Sequence, residues 1–166
     1  MIIRAIRITI PGTPIPKGRA NFGNGRVYTP AQTRNWECAA ALIAKSGMRS
    51  AEMLCGVVKT EIMVCLPVPT SWPAWKREAA LYGIICPTST PDLDNLLKST
   101  FDALNNIVWV DDAQIIKTNA EKIYGVNPGI EIIAQRVPGK IPSQVATKKE
   151  FDRLYSAIAH EVMTNE

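Results

Sequence analysis

The stretch PDLDNLLKSTFDALNNIVWVDDAQI, from Pro91 to Ile115, decides both the fold and the chemistry of this chain. Its middle has the spacing of an amphipathic helix, and acidic residues stand before and behind that helix. These acids are Asp92, Asp94, Asp111 and Asp112. Helix caps and turns account for acids at such places, and so does a site for a cation. The stretch therefore predicts a helix bracketed by carboxylates, with both explanations open at this point.

Helical spacing divides the predicted helix into two stripes. The polar stripe consists of Asp94, Lys98, Asp102 and Asn105. The stripe expected to be buried consists of Leu97, Phe101 and Leu104. An acid four residues before a lysine, as in Asp94 and Lys98, also occurs on ordinary exposed helices, so this pair alone does not establish a site. The complete polar stripe favours a helix face that is reserved for a function.

The rest of the chain has the composition of one folded domain. Its 166 residues suffice for a continuous core, and 46% apolar and 20% charged residues are ordinary shares for a globular protein. No run approaches the ~18 apolar residues of a membrane span. The first residues, MIIRAIRITIPG, alternate where a signal peptide would be continuously apolar. We therefore expect a cytoplasmic protein without a membrane partner.

The cysteines and the single histidine do not suggest a site. Cys38, Cys55, Cys65 and Cys86 lack the paired spacing of zinc ligands, and their apolar neighbours predict buried, reduced thiols. His160 is remote from the acids in the sequence and receives no role. The chemistry is thus expected to depend on carboxylates.

Positive charge is concentrated towards the N-terminus. Residues 1–50 contain eight basic residues and one acid, Glu37, although the whole chain carries only +4. A polyanion is the natural partner for such a surplus. Residues 11–30, PGTPIPKGRANFGNGRVYTP, are expected to form a loop whose amides and basic side chains suit a phosphate chain. A surface loop without a function fits the same composition equally well.

Strand and helix patterns alternate along the chain, which predicts a mixed sheet with helices packed on it, an α/β (α+β) fold. The predicted strands are residues 2–10, 57–66, 107–110, 114–125 and 130–135. The predicted helices, besides the quoted one, are residues 30 to about 46, 71–83 and 147–163. Thr29 and Ser71 are expected to cap the first two of these helices. The last strand is expected to pair with its predecessor after an NPG turn.

A metal site would follow if three of the carboxylates converge, because a hard divalent cation relieves their repulsion. Mg²⁺ takes few protein carboxylates and completes its octahedron with water and substrate phosphate, which suits phosphodiester hydrolysis. Since adjacent strand residues point to opposite faces, only one of Asp111 and Asp112 can share a side with the first pair unless a turn intervenes. Lys98 would add a donor to the phosphate.

The string P-D-L-D-N-L-L-K…D-A-L-N…V-W-V-D-D-A-Q-I resembles the signature of the RusA family of Holliday junction resolvases. Weaker likeness in GRANFGNGRVYTP, SWPAWKREAAL and EKIYG extends the resemblance over roughly residues 1–135. It implies a small, often phage-borne, homodimeric endonuclease that uses Mg²⁺, with Mn²⁺ as a substitute, to resolve four-way DNA junctions by paired nicks. It further implies metal binding by Asp92, Asp94 and Asp112, catalysis by Lys98, and a supporting role for Asp111.

The resemblance also suggests a domain division, in which residues 1–136 form the endonuclease domain and residues 137–166 a linker and C-terminal helical extension of it. One departure concerns DNA contacts. In the family prototype, basic residues directly precede the first aspartate, whereas this chain has PTSTPD. Contacts with branched DNA are therefore expected from other basic residues, namely Lys17, Arg19, Arg26, Lys76 and Arg77.

Two alternatives to a nuclease remain. The first is a non-catalytic protein that binds branched DNA and uses the acids only as helix caps. The second is a D-x-D metal enzyme acting on a nucleotide sugar, which would need a nucleotide-binding α/β unit that the sequence does not display.

Overall fold

The described residues form a four-stranded mixed sheet, a small hairpin and four helices. The computed structural model describes residues 5–23, 26–49, 51–143 and 147–163, and the side chains of residues 21–27 and 158–163 lie outside that description. In chain order the elements are β1 (Ile6–Pro11), β2 (Asn21–Gly23), β3 (Arg26–Tyr28), α1 (Ala31–Met48), β4 (Val58–Pro67), α2 (Ala74–Leu81), α3 (Leu93–Leu104), β5 (Ile115–Gly125), β6 (Gly129–Arg136) and α4 (Lys148–Met163). This architecture confirms the predicted fold class and the extra C-terminal helix.

The order of strands in the sheet is β1-β6-β4-β5. Strand β6 pairs antiparallel with both β1 and β4, and β5 pairs parallel with β4. The predicted pairing of β6 with β5 is therefore wrong. Strand β6 buries Ile130, Ile132 and Ala134 completely, as a central strand does. Strand β5 carries charged residues on both faces, which suits an edge of the sheet.

Helices α1 and α3 cover one face of the sheet, and the hydrophobic core lies between these helices and the sheet. The strands contribute every second side chain to this core. In β1, Ile6, Ile8 and Ile10 are buried while the residues between them are exposed. Helix α1 contributes Ala40 and Ala44 to the same core. The strands predicted at 57–66 and 130–135 and the helices predicted at 71–83 and 147–163 are confirmed with small shifts of their ends.

The buried face of α3 differs from the predicted stripe. Its fully or nearly fully buried residues are Leu96, Ser99, Thr100, Ala103 and Leu104. Leu97 and Phe101, which were expected to be buried, are only half-buried. The difference arises because Ser99 and Thr100 satisfy their hydroxyls by donating to backbone carbonyls of Leu96 and, for Ser99, Ile15. Hydroxyl groups can be buried when they are hydrogen-bonded, and a prediction from apolar spacing alone does not include such residues in the core.

The predicted caps of α1 and α2 are also wrong. Pro30 and Pro73 themselves occupy the N-cap positions, with ψ values of 142° and 156°, and neither helix has a side-chain capping bond. Thr29 and Ser71 therefore lie one and two residues before the respective caps. A proline suits this position because it has no N–H group that would need a partner.

Residues 107–110, predicted as a strand, form a turn with isolated bridges instead. Trp109 is completely buried, and its indole Nε1 donates to Asn105 Oδ1 over 2.8 Å. The backbone N–H of Asn106, which has a φ of 61°, donates to the carbonyl of Trp109. An asparagine tolerates this left-handed conformation, so the chain closes on itself directly after α3.

The loop predicted at residues 11–30 contains the hairpin of β2 and β3, which the sequence did not reveal. The four cysteines are free, as expected, but Cys38, Cys55 and Cys86 are exposed rather than buried, and Cys65 is half-buried. In the described part of the chain, no helix combines the length and apolarity needed to cross a bilayer. Residues 2–4 of the first predicted strand lie outside the described residues.

The connection from β4 through α3 to β5 positions the acidic residues. Parallel strands need a crossover, so α3 runs back along the sheet in the direction opposite to both strands. The beginning of α3 accordingly lies beside the later part of β5, where Lys122 reaches the carbonyl of Pro91. The end of α3 lies beside the beginning of β4 and β5, where the backbone N–H of Leu54 donates to Val108.

Candidate metal and nucleic-acid site

Two carboxylates stand at the beginning of α3 without structural partners. Asp92 is the N-cap residue, as predicted, but its side chain makes no capping hydrogen bond. Asp94 lies in the first turn, and both residues are exposed. Among the described residues, neither carboxylate accepts a hydrogen bond or forms an ion pair. The simple explanation of Asp92 as a side-chain cap is therefore not what the structure shows, and the helix dipole favours negative charge there.

A lysine from the sheet holds the segment that leads into this pair. Lys122 Nζ donates to the carbonyl oxygens of Ser89 and Pro91, each over 2.8 Å. The place of Lys122 in the strand predicted at residues 114–125 does not by itself indicate this role. A signal was nevertheless present, because Ala120 and Tyr124 on the same face of the strand pack against the core. A lysine between two such residues indicates a specific partner for its ammonium.

The basic loop is fastened to α1 and α3 by Lys17. Its ammonium lies 2.7 Å from Glu37 Oε1 and 2.6 Å from Asp102 Oδ2, and its backbone N–H donates to Asn95 over 2.8 Å. Burial disfavours the charged ammonium, but the hydrogen bonds to Asp102 and Glu37 outweigh it and raise the pKa of Lys17. Lys17 is thus already engaged by two carboxylates, whereas it was predicted to contact DNA.

The polar stripe of α3 divides into two parts with different surroundings. Asp94 and Lys98 are exposed on the first turns, and no described residue pairs with them. Asp102 binds Lys17, and Asn105 accepts the hydrogen bond of Trp109. Only the first part of the stripe is therefore open to a ligand, and Lys98 lies within it, one turn after Asp94.

The second acidic pair lies at the start of β5. Asp111 has a structural role, because its Oδ1 accepts from the backbone N–H of Ala113 while Gln114 Oε1 accepts from the N–H of Asp111. This reciprocal capping box begins a short 3₁₀ turn. Asp112, inside that turn, is half-exposed and has no partner among the described residues. Of the two acids, Asp112 is the one available to a ligand.

The two ends of α3 are too far apart for one ion to bind both pairs in the same chain. Helix α3 has 12 residues and is therefore ~18 Å long. Along β5, the segment from Ile115 to Lys122 spans about 23 Å. Ligand oxygens of Mg²⁺ lie only about 2.0–2.1 Å from the ion. In agreement, the described residues contain no group of three His, Cys, Asp or Glu side chains able to hold a metal ion.

A pair of carboxylates nevertheless fits a magnesium ion that also binds a substrate. Mg²⁺ is commonly held by one or two carboxylates, with water and phosphate oxygens in the other positions. Asp92 and Asp94 meet that requirement, since they are exposed and unpaired at a helix terminus. Asp112 does not reach them in the same chain.

The other basic residues predicted to contact DNA belong to the basic loop and to α2. Arg19 is exposed, shortly after the segment in which Lys17 contacts Asn95. Arg77 is exposed on α2, and Lys76 lies 4.0 Å from the centre of the Trp72 ring. The side chain of Arg26 lies outside the described residues.

Helix α2 lies at the same end of the sheet as the beginning of α3. Trp72, just before α2, packs edge-on against Tyr124 with 5.4 Å between ring centroids. Tyr124 is close to Lys122 on β5, and Lys122 binds the segment that precedes Asp92. Trp75, in α2, is 66% exposed. Positive and aromatic side chains thus border the surface that carries the first aspartate pair.

Comparison with known proteins relates most of this chain to an endonuclease family. Residues 11–134 match the family model described as Endodeoxyribonuclease RusA. The Bacillus subtilis (strain 168) protein designated "Uncharacterized protein YqaN" is 33% identical over 138 residues, which cover 80% of this chain and 96% of that protein. The matched region includes both acidic pairs and Lys98, and it ends before α4.

Proposed function

Because the chain belongs to the RusA family of endodeoxyribonucleases, we propose that it resolves four-way DNA junctions by paired, Mg²⁺-dependent nicks. The membership confirms the resemblance of residues 91–115 and identifies the chain as a Holliday-junction nuclease. The observation that carries the finer proposal is the pair of exposed, unpartnered carboxylates of Asp92 and Asp94 at the beginning of α3. For a protein that only held DNA, the pair would offer no more than the modest stabilisation of the helix dipole.

Each residue has a distinct role in this proposal. Asp92 and Asp94 bind the metal ion through carboxylate oxygens, and Lys98 donates to a phosphate oxygen of the DNA. A bound Mg²⁺ or Mn²⁺ supplies charge stabilisation at the scissile phosphate and a more acidic water. Arg19, Arg26, Lys76 and Arg77 hold the negatively charged backbone of the junction. Asp111 supports the site indirectly by capping the turn that carries Asp112.

A second copy of the chain supplies Asp112 to this site. In a two-fold arrangement with antiparallel α3 helices, the beginning of one α3 lies beside the end of the other. Asp92 and Asp94 of one copy then face Asp112 of its partner. The chain offers a suitable surface, because one side of the edge strand β5 has no partner strand among the described residues and Leu93, Leu97 and Phe101 of α3 are only partly buried. Such a homodimer has two equivalent sites, as two symmetric nicks require.

The first experiment uses a synthetic mobile four-way junction with Mg²⁺ or with Ca²⁺. We expect paired nicks at symmetry-related positions with Mg²⁺ and binding without nicking with Ca²⁺. Asp92→Asn and Asp112→Asn should each abolish nicking and leave junction binding intact. If the unaltered protein bound junctions but never nicked them with Mg²⁺ or Mn²⁺, the chain would be a branched-DNA-binding protein instead.

Mixing the two inactive variants tests whether the site is shared between copies. A heterodimer of Asp92→Asn with Asp112→Asn keeps all three aspartates at one of its two shared sites and loses two at the other. We expect single-strand nicking to return in co-expressed, differently tagged heterodimers. A site contained in one chain predicts no recovery, because each chain would still lack one ligand.

A further inference from the structure

Lys122 is half-buried on the core-facing side of the edge strand β5. It lies opposite Val64 of β4, which is completely buried, and it shares a face of β5 with Ala120 and Tyr124. An ammonium in such surroundings is costly unless it is hydrogen-bonded. Packing alone therefore does not explain the lysine, and its two bonds to backbone carbonyls do.

Those two carbonyls belong to the segment that leads into the metal-binding pair. Lys122 Nζ donates over 2.8 Å to Ser89 and over 2.8 Å to Pro91, and Asp92 follows directly. Hydrogen bonds from a charged donor are stronger than neutral ones. Because Asp92 makes no capping bond with its side chain, the helix start is not fixed in the usual way. Lys122 fixes it from the sheet instead.

We propose that Lys122 is a positioning residue, which holds the backbone before α3 so that the carboxylates of Asp92 and Asp94 are oriented together for a divalent cation. This inference rests on the proposed function. Residues that support metal ligands without touching the metal typically change affinity or activity 10–100-fold when they are replaced. Lys122 acts here through the backbone and does not contact the substrate.

The test compares Lys122→Met with Lys117→Met in the full-length protein. Methionine keeps the length and apolar volume of lysine and removes the charge and the donors. Lys117 is the control, since it is exposed on the same strand and belongs to the opposite face of the sheet. We expect K122M to weaken Mn²⁺ binding, measured by calorimetry without DNA, about 10–100-fold. Its kcat for nicking should fall similarly, while junction affinity without divalent metal stays within about twofold.

Further variants separate positioning from a merely structural role. Lys122→Arg should fall between K122M and the unaltered protein, because it retains a charged donor with a different shape. If K122M does not fold, Lys122→Gln replaces it, since its shorter side chain keeps an uncharged donor for a backbone carbonyl but removes the ammonium. Unchanged Mn²⁺ affinity in the folded variant overturns the inference, even if its Tm is lower. If the unaltered protein itself neither binds Mn²⁺ nor nicks DNA, the proposed function fails first, and this inference with it.

Discussion

Replacing Lys17 by methionine tests how firmly the basic loop is attached to the helices. The lysine bridges Glu37 of α1 and Asp102 of α3 at 2.7 Å and 2.6 Å, and the exposed fractions of the three side chains are 21%, 18% and 33%. Charged hydrogen bonds in protected places contribute roughly 1.5–3 kcal/mol each, and exposed ion pairs roughly 0–1 kcal/mol. For this intermediate exposure we expect K17M to lower the free energy of unfolding by about 2 kcal/mol.

Urea denaturation at neutral pH measures this change, and a thermal melt should show a Tm lower by about 4–8 °C. Lys117→Met is the control and should change the free energy of unfolding by less than about 0.5 kcal/mol. The effect also has a pH signature. Because the pKa of Lys17 is raised above its ordinary 10.5 in the folded state, its contribution is complete below pH 10.5 and disappears as the pH rises through the folded pKa. A K17M variant as stable as the unaltered protein at pH 7 would refute this account.

Three further predictions concern single side chains. Asp92→Asn should abolish nicking, which a junction assay measures. It should change the free energy of unfolding, measured by urea denaturation, by less than about 1 kcal/mol, because the carboxylate interacts only with the helix dipole. Asp111→Ala removes the acceptor of the Ala113 N–H and should cost about 1 kcal/mol in the same denaturation assay. Burial and the nearby charge of Glu131 raise the pKa of Cys65, so iodoacetamide followed by peptide mapping should modify it more slowly than the three exposed cysteines.

Much of the fold could be predicted because apolar periodicity reports which face of an element is buried. The alternation of β1 and β4 and the helical spacing of α3 identified elements that the structure contains. Periodicity does not report which strand becomes the neighbour, and so the pairing of β6 with β4 rather than β5 was missed. The turn at Trp109 was also missed, because the hydrogen bond from Trp109 to Asn105 joins two side chains and apolar periodicity does not report such contacts.

The candidate site residues that resemble the family signature could be predicted from the sequence. The residues whose roles depend on tertiary contacts could not. The likeness pointed to Asp92 and Asp94, and the structure leaves both without partners. Nothing in the sequence distinguishes Lys17, held by two carboxylates, from the exposed Arg19 close by. Lys122 was equally inconspicuous, because its partners are backbone carbonyls and leave no trace in residue types. The roles of Asp92, Asp94, Lys98 and Asp112 stay predictions.

The length of α3 has a consequence for the geometry of cutting. In the proposed dimer, the two shared sites lie at opposite ends of the paired helices, so these helices act as a ruler between the two scissile phosphates. Adding one helical turn would lengthen the ruler by ~5.4 Å without removing any ligand. The two incisions would then lose their common register on the junction, and nicking of one strand would become uncoupled from nicking of the other.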